Sequence, residues 1–249
     1  MQLWELALLA GAGVASGWIN VVAGGGSLLT VPIMVFLGLP GPVANGTNRI
    51  AIIAQNVTAV RSFRKLGFSD FRLSATLAAA ASVGALAGAM VGVDLEGEWF
   101  DRTVAFTMVA VMILMLTGRD QNRPEPDASA KAKNLALGHV LFVGAGFWGG
   151  FIQIGVGFLM MPILYRVMGL DLVRVNMHKV FIALVFSVVA LAVFAARVPI
   201  AWEAGAALAA GNALGGWLGA HSTVREGAPL IKKALFLALA AMAVKLLFF

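Results

Sequence analysis

The stretch Gly17-Trp18-Ile19-Asn20-Val21-Val22-Ala23-Gly24-Gly25-Gly26-Ser27-Leu28-Leu29-Thr30-Val31-Pro32 carries an apolar run into three consecutive glycines and out again. Upstream, Leu3–Val22 is apolar and long enough to span a hydrocarbon core, which takes ~20 residues at ~1.5 Å rise each. Downstream, Ser27–Leu37 covers only ~17 Å as helix, too little to cross. The pair is therefore either one helix broken in the middle or a hairpin that leaves by the face it entered.

The pattern occurs twice. With Trp18 laid on Trp148, Pro32 falls on Pro162. After one inserted residue, Gly38-Leu39 falls on Gly169-Leu170 and Asn45 on Asn176. Phe71 then falls on Trp202, Gly84 on Gly215 and Gly88 on Gly219. The second break is Gly155-Val156-Gly157, followed by the short piece Gly157–Val167. The polar stretch Gly118–Lys133 separates the copies, so the chain divides into a first membrane repeat (1–117), a linker (118–133) and a second membrane repeat (134–249). Duplicated halves are common in secondary transporters, whose solute site lies between them.

Composition fixes the class. Of 249 residues, 60% are hydrophobic and 12% charged, against about 25% charged in an average soluble domain. The apolar runs do not alternate, which argues for helices over a membrane β-barrel. Trp4–Ala23 has no basic flank, so a cleaved signal peptide is not expected. The net charge of +6 comes from basic residues between apolar segments, where it reports topology and not nucleic-acid binding. There is no cysteine, which excludes disulfides and thiolate metal sites. No His cluster at metal spacing, paired carboxylate or nucleophile elbow is present, so neither a metal, a cofactor nor enzyme chemistry is expected.

Ten helical pieces are predicted: Leu3–Val22, Ser27–Leu37, Val43–Leu66, Phe71–Val91, Trp99–Thr117, Leu135–Ile154, Gly157–Val167, Val173–Ala196, Ile200–Ala220 and Leu230–Phe248. If each break is a re-entrant hairpin, each repeat has three full crossings and the repeats are inverted. Segments 61–72, 119–133, 166–179 and 225–233 then share one face, with four, four, three and three basic residues, 14 of the chain's 18 Lys and Arg. If each pair crosses once, the split is 10 against 8. The positive-inside rule favours the inverted arrangement, with basic loops cytoplasmic and both termini outside. The predicted fold is thus an all-α polytopic membrane protein of two inverted repeats, each a broken or re-entrant helical hairpin plus three transmembrane helices.

Two groups of residues are candidates for binding. The first is Asn20, Gly24, Gly25, Gly26 and Ser27, with Gln153, Gly155 and Gly157 in the second copy. A helix restarting after a break aims free N–H groups at whatever lies beyond, a geometry suited to an anion. The second is Asn45, Thr47, Asn48 and Arg49, with Asn176, His178 and Lys179 opposite; Gln55 and Asn56 extend the polar strip. A cation within the membrane costs at least ~2.5 kcal/mol and usually faces a partner or a wet cavity. Snorkelling of Arg49 and Lys179 to the interface is the competing reading. His178 could titrate near neutrality and couple transport to protons, or simply sit at the interface with His139 and His221. The scattered glycines Gly84, Gly88, Gly215 and Gly219 read as packing positions.

The stretch Gly17–Pro32 and the sequence Gly46-Thr47-Asn48-Arg49 resemble the sulfite exporter TauE/SafE family of membrane permeases, as do Gly155-Val156-Gly157 and Pro162. The second copy departs from the first, with Ile154 and Val156 in place of two glycines. The resemblance implies a carrier in the bacterial cytoplasmic (inner) membrane for a small sulfur-containing oxyanion or organosulfonate, such as sulfite or sulfoacetate. The expected partners are that anionic solute and the lipid bilayer, with homo-oligomers allowed. A non-transporting membrane scaffold or assembly protein is the alternative.

Overall fold

A computed structural model describes residues 1–117, 126–127 and 131–248. Among these the elements are α1 (Leu3–Val22), α2 (Ser27–Phe36), α3 (Gly41–Lys65), α4 (Phe71–Gly92), α5 (Gly97–Thr117), α6 (Leu135–Phe151), α7 (Val156–Pro162), a π-helical turn (Ile163–Val167), α8 (Leu172–Arg197) and α9 (Trp202–Phe248). Of the linker expected over 118–133, only 126–127 and 131–133 are described; Arg119 and Arg123 lie outside.

Local chemistry explains the helix ends. Pro42 sits in the first turn of α3, where its fixed φ fits and its missing N–H costs nothing. Asp171 opens α8, its carboxylate accepting from the N–H groups of Val173 and Arg174. Three differences from the sequence reading exceed two residues. First, α6 stops at Phe151 and not Ile154, because Gln153 (φ 63°) and Gly155 (φ 72°) turn left-handed. Second, the helix after the second break is α-helical only to Pro162. Proline supplies no N–H, and the chain continues as a π turn. Third, the predicted gap between Ala220 and Leu230 narrows to one non-helical residue, Gly227, two before Pro229.

Polarity runs inside out. Asn45, Thr47, Asn48, Arg49, Gln55, Asn56, Gln153, Asn176, His178 and Lys179 are buried. Leu86, Met90, Val140, Phe147, Val188 and Trp217 are exposed. Water would favour the reverse, so apolar surface facing lipid is the consistent solvent. By length and apolarity α1, α4 and α8 can each cross a membrane, while α2, α6 and α7 with its π turn are apolar but shorter. Helix α3 has 25 residues, yet its inward-facing amides and Arg49 lower its mean apolarity. The chain is an all-helical polytopic membrane protein.

The packing is reciprocal between the halves. Helix α1 lies along α9 and α6 along α4; α3 packs on α9 and α8 on α4; α3 and α8 touch each other. Small residues permit the close approach. A Cβ on Gly17 would stand 2.6 Å from the Asn212 carbonyl oxygen, and one on Gly88 would stand 2.8 Å from the Phe147 carbonyl carbon. Gly84, Gly215 and Gly219 face equally close neighbours across the same two interfaces, so all four glycines pack helices as expected.

Contacts also sort the chain ends of the helices. Lys133 N–H donates to Met168 O (2.8 Å) and Asn134 Nδ2 to Val167 O (2.9 Å), so α6 and α7 fold back as a hairpin. Arg174 pairs with Asp70 at 3.6 Å, and Val224 packs with Phe63, Phe68 and Val173. Residues 66–72, 131–134, 166–174 and 222–224 therefore gather at one end. At the opposite end the Met1 ammonium meets Glu203 (3.5 Å), Ala201 N–H donates to Thr47 Oγ1 (3.1 Å) and Gly41 abuts the Phe100 ring. Leu37 and Leu39, after α2, pack in a cluster with Leu9 and Phe100, so α1 and α2 also double back.

Candidate functional site

The two breaks meet. A Cβ placed on Gly24 would stand 2.8 Å from Gly157 Cα, so the tips of the two hairpins touch backbone to backbone and leave no room for a side chain. Gly24 also holds φ 92°, a conformation most side chains resist. Gly25 lies under the Phe158 ring, and Gly26 under Ser16 and Asn20.

Each tip is held by a polar pair from the opposite half. Helix α6 ends with unsatisfied carbonyls, as every helix does. Asn45 Nδ2 donates to Phe151 O (2.8 Å), and Arg49 donates to Gly149 O (3.0 Å), Gly150 O, Gln153 Oε1 (3.1 Å) and Asn45 Oδ1 (3.4 Å). Across the molecule, Asn176 Nδ2 donates to Val22 O (3.1 Å). Lys179 Nζ donates to Val21 O (2.8 Å) and Asn176 Oδ1 (2.7 Å). A cation beside a helix C-terminus is also favoured by the helix dipole. The guanidinium of Arg49 is fully buried and lies 4.4 Å from the centre of the Phe194 ring. Neither cation snorkels.

Beside the touching tips lies a cavity with room for about one water. Asn20, Gln55, Asn56, Gln153 and Lys179 are its polar lining; Val156, Met160, Val180 and Ala183 form the apolar wall. The amides form a directed relay. Asn20 Nδ2 donates to Gln55 Oε1 (3.2 Å), and Gln55 Nε2 donates to Asn56 Oδ1 (3.1 Å). The last donor, Asn56 Nδ2, is buried without a partner. The oxygens of Gln55, Asn56 and Gln153 each already accept one hydrogen bond, and Asn56, with its free N–H, lines the cavity. Lys179 adds an ammonium whose third contact is only the Met161 sulfur at 3.9 Å, a weak acceptor.

The other expected residues serve elsewhere. Asn48 joins the start of α2 to α3, accepting from Thr30 Oγ1 (2.7 Å) and donating to Ser27 Oγ (3.2 Å). Thr47 ties α3 to the start of α9. His178 Nδ1 lies 2.8 Å from Ser74 Oγ on α4, and its Nε2 has no partner. Gly155 caps α7 in a left-handed turn. Of the candidates, the cavity collects Asn20, Gln55, Gln153, Gly157 and Lys179; Arg49, Thr47 and His178 are not among its lining. Asn56, which the sequence suggests only as an extension of a polar strip, emerges as the free donor, and Met160 and Val156 carried no signal beyond apolarity.

The sulfite exporter TauE/SafE family matches residues 9–246. A probable membrane transporter protein, ORF9, of a Sinorhizobium species is 25% identical over 242 residues, covering 97% of this chain and 92% of the relative. A probable membrane transporter protein of Haemophilus influenzae is 24% identical over 91% of this chain and 88% of its own length. The probable membrane transporter protein YfcA of Escherichia coli K12 is 22% identical, covering 94% and 86%. No solved structure matches. The chain belongs to the sulfite exporter TauE/SafE family.

Proposed function

We propose that this family member is a secondary membrane transporter of a small sulfur-containing oxyanion or organosulfonate, such as sulfite or sulfoacetate, working by alternating access between two inverted repeats. Transport across a membrane agrees with the names of its relatives and with the inside-out polarity. The gathering of residues 66–72, 131–133 and 166–174 at one end supports inversion, since the single-crossing arrangement would separate 66–72 from 166–174. That end is assigned to the cytoplasm of a bacterial inner membrane. The domains follow as repeat 1–117, linker 118–133 and repeat 134–249.

One observation carries the choice of an anion. The amide relay from Asn20 ends in the unpartnered N–H of Asn56 beside the Lys179 ammonium, at the place where both hairpin tips touch. Such donors replace the hydration shell of an oxyanion, and a buried unmet donor otherwise costs ~1–3 kcal/mol. The water-sized space means that binding opens the tips. Movement of one tip-and-clamp unit against the other then exposes the site to alternate faces. Export is the assigned direction. Asn45, Asn48, Arg49 and Asn176 shape the site by holding the tips, and Gly24–Ser27 with Gly155 leave it space.

Flux into proteoliposomes tests the proposal. Radiolabelled sulfite or sulfoacetate accumulates with wild-type protein and not with empty liposomes. Absence of flux for every sulfur oxyanion tried would leave the scaffold reading standing.

A further inference from the structure

We infer that Gln153 sets a preference for solutes with two negative charges: Lys179 meets one, and Gln153 hands on the charge of Arg49 to meet the other. The inference rests on the carrier reading above. Lys179 lines the cavity, with two of its N–H groups on Val21 O and Asn176 Oδ1. Arg49 stands one hydrogen bond behind the lining, since it donates to Gln153 Oε1 (3.1 Å) and Gln153 is part of the wall. Its other acceptors are Gly149 O, Gly150 O and Asn45 Oδ1, and its buried Nε–H has no partner.

Neither positive charge is cancelled. Among the described residues no ion pair includes Arg49 or Lys179, and no acidic side chain lines the cavity. Asp70 and Asp171 pair with Arg174, and Glu203 with the Met1 ammonium. His178, next to Lys179 on α8, faces Ser74 on α4. Both buried cations therefore rest on neutral dipoles, beside one water-sized space. An interior charge without a counter-ion is strongly disfavoured, so an anion that brings two charges is stabilised over one that brings a single charge.

Gln153 is the link between the second charge and the cavity. Its oxygen lies on the guanidinium, so its amide is polarised with the positive NH2 end away from Arg49. Arg49 thus acts on the solute while it keeps its hold on the α6 carbonyls. The rest of the wall, Val156, Met160, Val180 and Ala183, is apolar and suits a short carbon spacer between two anionic groups. Sulfoacetate has that form. Its primary amide keeps the shape and the sulfonate and loses one charge.

Calorimetric titration of the purified full chain at neutral pH with sulfoacetate and with its primary amide tests the inference. Sulfoacetate should bind about ten- to hundredfold more tightly than the amide. Gln153→Glu keeps the acceptor for Arg49 and sets a fixed negative charge against the guanidinium. That variant should hold its Tm, and the ratio of the two affinities should fall to about one. Equal binding of the two compounds by the wild-type chain overturns the inference, whether or not the variant folds. A folded Gln153→Glu that keeps the wild-type ratio overturns it as well. Equal binding accompanied by flux of both compounds into liposomes leaves the carrier reading intact. No binding and no flux of either compound removes both.

Discussion

The clamp on the α6 tip and the clamp on the α1 tip do the same job with different chemistry. Each takes an Asn and a cation from the second or third turn of a long helix and closes them on the carbonyl end of the opposite half's hairpin. Arg49 turns its planar fork on two carbonyls and two amide oxygens and is shut behind Phe194. Lys179 makes two strong bonds and one weak one, and it alone lines the cavity. On the proposed carrier reading, one clamp is committed to structure and the other is shared between structure and solute. The two terminal nitrogens of Arg49 are engaged and only its buried Nε–H is left, whereas an ammonium on a flexible stem can exchange a carbonyl for an anion.

Substitutions separate the two roles. The largest effect is expected from Arg49→Leu, which strands Gly149 O, Gly150 O and Gln153 in the interior. Each buried acceptor left without a donor costs ~1–3 kcal/mol, and three are left at once. Thermal unfolding in detergent should show it as a large loss of Tm, and an unchanged Tm would mean that the clamp is dispensable. Next comes Lys179→Gln. Hydrogen bonds to charged groups contribute ~1.5–3 kcal/mol, so anion affinity should fall about ten- to hundredfold. Equal affinities in titration calorimetry would move the solute away from this cavity. The smallest effects belong to Asn45→Ala and Asn176→Ala. Each leaves one carbonyl, Phe151 O or Val22 O, without its side-chain donor, at ~1–3 kcal/mol. Matching Tm shifts for the two would mean that the Asn members remain equivalent; a gap of more than about 1 kcal/mol would extend the asymmetry to them.

Much of this was readable from residues alone. Glycine-rich breaks before short helices mark both interruptions while leaving hairpin and broken helix open, and the paired register of Asn45 with Asn176 marks both Asn-plus-cation stretches, as candidates for solute and not as clamps. Local chemistry also set most helix ends, as at Pro42 and Asp171. What stayed hidden depends on contacts remote in sequence. Nothing near Arg49 reveals that its donors end on Gly149 and Gly150 in the other half. Sequence spacing treats Arg49 and Lys179 as equals, and only packing turns one from the cavity and the other toward it. Asn56 looked like a continuation of a polar strip because its role depends on Gln55 occupying its oxygen. The left-handed turn at Gln153, itself a candidate from sequence, stays hidden for another reason: it is a costly conformation that surrounding structure, not local preference, imposes.

The touching glycines at the tips have a mechanical consequence. Ordinary helix contacts interlock side chains as knobs in holes, and sliding one past another forces rotamers to change. Gly24 and Gly157 meet as bare backbone, with no knobs on either face. The joint can therefore shear like a smooth bearing, and any residue with a side chain at either position would act as grit in it.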